Sequence, residues 1–150
     1  MEKDILTYDV IGCAMNVFNT LGNGFQEVIY QRCLAIELEL KGINFEREVE
    51  QTVYYKGIKV GTRRADFVIE SKFTVELKAL INLEDVHLAQ AKNYVVAYNF
   101  DKGLLINFGA KSLQYKLVFN SKLNSEKYQN HIAKIRGAAE SVARLNQPCG

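Results

Sequence analysis

The chain has 150 residues, 48% of them hydrophobic and 24% charged, with a formal net charge of +2. That composition suits one globular domain with a sizeable core and excludes a strongly basic or acidic overall field as the basis of function. No apolar run reaches the roughly 18 residues of a membrane span, the start MEKDILTYDV is too acidic for a secretory signal, and Cys13, Cys33 and Cys149 show neither metal spacing nor a disulfide framework, so a cytoplasmic protein with no membrane partner is expected.

Leu6, Val10, Ala14, Val17 and Leu21 recur at helical spacing and predict a first amphipathic helix. It stops at LGNG, where Gly22 and Gly24 can take positive φ. A second helix is predicted over 27–41, with Ile29, Cys33, Ile36 and Leu40 as its stripe and Gly42 at its end. Glu27 lies in its first turn, where a carboxylate suits the helix dipole. The period then changes to two. Residues 49–55 and 58–69 read as strands around a Lys56-Gly57 turn, and 73–80 as a third strand. Lys56, Lys59, Arg63 and Arg64 form a local basic run there, which a solvated strand face also explains. A helix over 83–98 follows, with His87, Gln90 and Tyr94 on one face. GLLINFG, 103–109, is a short unbroken apolar run and reads as a buried strand, and 113–119 as a fifth strand. The last 30 residues read as a peripheral helix and tail around Ile132, Ile135 and Val142, leaving 1–120 as the main domain. The third strand, the helix and the fourth strand form a natural parallel crossover. The class is therefore α/β, bordering on α+β, with a mixed sheet flanked by helices.

Three charges interrupt the most apolar stretch, RADFVIESKFTVELKA, residues 64–79. If Glu70, Ser71 and Lys72 form a three-residue loop, Ile69 pairs with Phe73 and Asp66 falls opposite Glu76, with Cβ atoms about 5 Å apart. Glu76 and Lys78 then share a face, and Val75, Leu77 and Ala79 point into the core. Directly opposed carboxylates repel. Lys78 offsets part of that repulsion and a divalent cation would offset more, since Mg²⁺ is commonly held by a few oxygens beside a phosphate. A surface cluster of Asp66, Glu76 and Lys78 without any ligand accounts for the same spacing. A glycosidase-type acid pair fits poorly, because Lys78 should hold both acids ionised whereas an acid catalyst needs a raised pKa.

GFQEVIY (24–30), RADF (64–67), VELKA (75–79), HLAQAKNY (87–94) and GLLINFG (103–109) together resemble the GxxExxY family, a branch of the PD-(D/E)XK nuclease superfamily. The resemblance spans most of residues 5–120 and leaves out the last 30. The proline of the superfamily's name is absent, with Ala65 before Asp66, at a position that varies widely there. The resemblance implies a restriction-endonuclease-like fold with Asp66 and Glu76 as metal ligands, joined by the backbone carbonyl of Leu77. Glu27 would be a further ligand, directly or through water. Lys78 would position the attacking water and stabilise charge on the phosphate, and Gln90 and Tyr94 resemble a QxxxY element that orients Lys78 or the nucleic acid. It implies Mg²⁺ or Mn²⁺ as cofactor and DNA as the nucleic acid cut, with specificity from DNA structure, a protein partner or a homo-oligomer. A non-catalytic nucleic-acid-binding or scaffold protein with the same fold is the rival expectation.

Overall fold

The computed structural model describes residues 4–120. The peripheral helix and tail expected over 121–150 lie outside them. Helix α1 spans Ile5–Leu21. Asp4 caps it, its carboxylate accepting the Thr7 N–H at 3.1 Å and the Thr7 hydroxyl at 2.7 Å. Val10, Cys13, Ala14 and Val17 are its buried apolar residues, much as the spacing predicts.

Helix α2 spans Glu27–Lys41 and ends at Gly42, whose φ of 75° is left-handed. Its buried stripe differs from the one expected. Tyr30, Leu34 and Leu38 are buried, whereas Ile36 and Leu40 are exposed. Tyr30 sets this rotation. Its ring stacks on Phe108 at 4.6 Å, and its hydroxyl donates to the Gly22 carbonyl at 2.6 Å while accepting the Phe25 N–H at 3.2 Å. The residues one and two turns later then face the sheet.

The strands are β1 Phe45–Arg47, β2 Glu50–Tyr55, β3 Ile58–Arg64, β4 Phe67–Ile69, β5 Phe73–Lys78, β6 Lys102–Asn107 and β7 Gln114–Phe119, with α3, Asp85–Ala97, between β5 and β6. A five-stranded sheet runs β1-β4-β5-β6-β7, and β2-β3 form a separate ribbon. The expected crossover is present, with β5 and β6 parallel. Two expectations change. The strand expected over 58–69 is broken at Ala65–Asp66, and β1 precedes the strand expected to begin at Val49. The β2–β3 ladder shifts by one residue at a bulge between Val53 and Tyr54, and from Val53 back both ladders share one register: Arg47 pairs with Phe67 and Glu50 with Arg64. They form a single long hairpin that leaves the main sheet where Glu48 takes a φ of 53° opposite Asp66. The third strand stops at Lys78, because Leu80 gives both its backbone groups to the Asn107 side chain.

One sheet face, with Phe67, Ile69, Phe73, Val75, Leu77, Leu104 and Ile106, packs against α1 and α2. The other packs Leu105 and Val118 against Ala91 and Val95 of α3. The core thus lies in two layers, and the charged residues of β5 lie on the α3 side.

Candidate active site

The β4–β5 turn has the expected register, with Ile69 opposite Phe73 and Phe67 opposite Val75 around the loop 70–72. Asp66 lies just before β4, at the point where the long hairpin breaks. It and Glu76 interlock. Glu76 Oε1 accepts the Asp66 N–H at 2.8 Å, and Asp66 Oδ2 accepts the Leu77 N–H at 2.8 Å. Freed from the regular ladder, these two amides satisfy carboxylates instead of carbonyls.

The remaining oxygens, Asp66 Oδ1 and Glu76 Oε2, accept no hydrogen bond from the described residues. No buried side-chain oxygen among the described residues lacks a partner, so these two reach solvent. In an extended strand a residue's N–H and C=O point to the same edge. The Leu77 carbonyl therefore points toward Asp66, while the next carbonyl, that of Lys78, turns to β6 and accepts the Phe108 N–H at 2.8 Å.

Burial pushes the Asp66 carboxyl up to about 6, with nearby Glu27 and Glu48 adding to it and the Leu77 N–H and Lys78 opposing. Burial, then the Asp66 charge, pushes Glu76 up to about 8, against the Asp66 N–H and Lys78. Two groups so close titrate as a pair, and near neutral pH that pair holds a proton. The expectation that Lys78 keeps both ionised is overturned: its charge lowers both, but burial outweighs it. Glu27 Oε1 accepts the Gln31 amide at 3.3 Å, and burial raises its carboxyl against Lys78 and that hydrogen bond. Glu27, Asp66, Glu76 and Lys78 thus lie within one another's electrostatic reach. Among the described residues, however, no three His, Cys, Asp or Glu side chains stand close enough together to enclose a metal ion.

Tyr94 is half-buried on α3, with the Arg63 guanidinium 5.3 Å from its ring centre. Burial and then the Glu76 charge raise its hydroxyl, which places it beside the acid pair. Gln90, one turn earlier, is exposed and makes no hydrogen bond to the described residues. His87 belongs to a helix cap: its Nδ1 accepts the Glu84 N–H at 2.9 Å.

Three neighbours of the site went unassigned in the sequence. Glu48 donates its N–H to the Asp66 carbonyl at 3.3 Å. The Tyr98 hydroxyl accepts the Ala65 N–H at 3.0 Å and donates to the Val49 carbonyl, tying both strands at the break to α3. Asn107, opposite Lys78, holds Leu80 and Gln114. Tyr98 continues the helical stripe through Gln90 and Tyr94, so extending that stripe by four would have found it. Pairing the chain back from the Lys56-Gly57 turn brings Glu48 to Ala65, and only the bulge between Val53 and Tyr54 moves it on to Asp66.

The sequence profile of the PD-(D/E)XK nuclease superfamily matches residues 4–118. No curated protein matches the chain. Among solved structures, SSO0001 is similar at 21% identity and a TM-score of 0.51, over 79% of this chain and 57% of that one. The chain thus spans little more than half the length of that relative. A phage-related exonuclease from Haemophilus somnus 129PT aligns at 9% identity and a TM-score of 0.46, over 97% of this chain and 85% of that one. Among the described residues no helix is long and apolar enough to cross a membrane.

Proposed function

Because the chain belongs to the PD-(D/E)XK nuclease superfamily, we propose that it is a nuclease of the GxxExxY branch that hydrolyses phosphodiester bonds in DNA with Mg²⁺ or Mn²⁺. The carrying observation is the interlocked Asp66–Glu76 pair, which keeps one solvent-facing oxygen on each carboxylate beside Lys78. These oxygens fit a cation. Burial raises both carboxyls, and the Asp66 charge adds to the rise at Glu76, so a positive ion that favours their ionised forms offsets that penalty. Asp66, Glu76 and the Leu77 carbonyl would hold the ion, with Glu27 reaching it directly or through water. When bound, Mg²⁺ or Mn²⁺ acidifies water and neutralises phosphate charge. Lys78 orients the attacking water and receives the charge that develops on the phosphate. Tyr94, backed by Arg63, bounds the side toward α3, and Gln90 extends that surface toward the nucleic acid. The free thiols of Cys13 and Cys33 suit a reducing cytoplasm.

The test is incubation with linear, nicked, branched and single-stranded DNA and with RNA, in Mg²⁺ and Mn²⁺. Cleavage of a DNA substrate is expected, reduced at least 100-fold by Lys78→Ala and by Asp66→Asn, on the order of the loss of one transition-state contact. Cleavage that survives both variants sinks the reading.

A second reading has its own observation. Each carboxylate already has a backbone N–H partner and the pair can hold a proton, so the arrangement is stable without metal. In that case the chain binds nucleic acid or a protein partner without cutting. Unaltered melting at millimolar Mn²⁺ would favour it.

A further inference from the structure

We infer that the β2–β3 ribbon is a nucleic-acid-gripping arm, one that stacks unpaired bases on its tyrosines and guides the backbone into the acid site. The inference rests on the nuclease reading for its class of partner.

The ribbon turns at Lys56-Gly57, both left-handed at φ 46° and 76°, as a two-residue hairpin requires. Around that turn Tyr54, Tyr55, Ile58 and Val60 are 63%, 64%, 51% and 61% exposed. None belongs to the buried clusters that hold the rest of the molecule together. Tyr54, across from Lys59, and Tyr55, across from Ile58, point to opposite faces of the ribbon, so its tip offers an exposed aromatic ring on each face, which marks a contact surface rather than scattered exposure.

Charge identifies what it contacts. The ribbon carries Lys56, Lys59, Arg63 and Arg64 against a single acid, Glu50, which lies at its base as the cross-strand partner of Arg64. Lys59 is the cross-strand partner of Tyr54, and the Lys56 ammonium lies 5.5 Å from the Tyr55 ring centre. Each exposed aromatic ring therefore has a cation beside it. That pairing suits a strand whose bases offer π faces and whose backbone offers phosphates. A duplex hides its base faces, and a protein partner of such an apolar tip would not need four cations.

The ribbon also leads to the site. At its base, Arg63 lies over Tyr94, whose neighbours include Glu76, and the Tyr98 hydroxyl fastens both strands beside Asp66. Ten residues of extended chain separate Lys56 from Asp66, roughly 30 Å at 3.3 Å per residue. A strand gripped at the tip can therefore run along the cations to the carboxylates.

The experiment is fluorescence anisotropy of labelled single-stranded DNA, single-stranded RNA and blunt duplex DNA with the full chain in EDTA, so that binding is read without cleavage. Wild-type protein should bind single strands more tightly than duplex, and the DNA and RNA arms identify which strand it prefers. Tyr54→Ala and Tyr55→Ala should each weaken single-strand binding by about tenfold. Lys56→Ala with Lys59→Ala should lower the slope of log K against log salt by about 1.4. Unchanged melting curves would show that these solvent-facing substitutions leave the fold intact. Wild-type affinity in the variants, a duplex preference insensitive to the tyrosines, or a dimer that the tyrosine variants dissolve while binding persists would each overturn the inference. Hairpin-dependent binding by a protein that cuts nothing would sink the nuclease reading and leave the arm standing. Cutting with binding indifferent to the hairpin would do the reverse.

Discussion

Asp66 and Glu76 have ordinary values of 3.8 and 4.5 but are raised to about 6 and about 8 in the folded chain. Below about pH 4 both folded and unfolded chains hold these protons. As pH rises, the unfolded chain releases them first, so the folded chain binds more protons and its stability falls with pH. In EDTA, the melting temperature should therefore decline from about pH 5 to about pH 8, and Asp66→Asn with Glu76→Gln should flatten that decline. Manganese should reverse it in the wild-type chain, because a cation favours the ionised pair. Its stabilising effect should be larger at pH 8 than at pH 6, where protons compete with it. Melting curves by differential scanning fluorimetry at both pH values, with and without metal, measure this. A wild-type profile as flat as the double variant's would show that the pair is not raised. The sequence alone predicted that the two acids would meet. It did not predict that backbone amides would satisfy half of each, since that depends on Asp66 falling where the ladder breaks.

At the scale of elements, β5, α3 and β6 were legible because each carries a strong period or an unbroken apolar run. The rotation of α2 was not. Its apolar residues Ile29, Cys33, Ile36 and Leu40 compete with Tyr30, Leu34 and Leu38, and the Tyr30 ring's stacking on Phe108 with its hydroxyl's reach to Gly22 decides between them. The end of β5 was equally hidden, because it is set by a side chain from another strand. Asn107 is fully buried, and its amide makes four hydrogen bonds: to both backbone groups of Leu80, to the Gly109 N–H and to Gln114. Asn107→Leu should cost about 1–3 kcal/mol by leaving those groups without partners. Gly109 is fixed by the same close approach, since a Cβ there would stand 2.3 Å from the Leu80 nitrogen. Gly109→Ala should cost a similar amount, about 1–3 kcal/mol. Gly61→Ala, with nothing within 4 Å of its Cβ, should be near neutral. Urea denaturation of the three variants checks the order. Equal stabilities at positions 61 and 109 would show that the loop after β5 yields freely.

For the molecule as a whole, the order of elements and the parallel crossover could be read from the sequence, whereas the bend that makes one hairpin serve two sheets could not. Glu48 announces nothing by its type; its positive φ appears only when the hairpin is bent around Asp66. That bend lets a small domain carry a packed body and a projecting ribbon on the same pair of strands. The described part also closes on itself. After β7, the Asn120 N–H donates to the Asp101 carbonyl at 2.9 Å and its side-chain amide to the Phe100 carbonyl at 3.0 Å, tying the strand's end to the turn before β6. Residues 1–120 should therefore fold by themselves. A chain ending at Asn120 should unfold in one cooperative transition, within about 5 °C of the full chain, a difference of about 1 kcal/mol at this size. The place to look for a shortfall is β7, where Tyr115, Leu117 and Phe119 form an exposed apolar row on the edge strand. If the truncated chain melts without cooperativity or aggregates, that row needs a cover that residues 121–150 supply. If it melts normally and Phe119→Ser leaves the transition unmoved, the two-layer core around β5 and β6 is sufficient, and the acid site stands on a scaffold complete at residue 120.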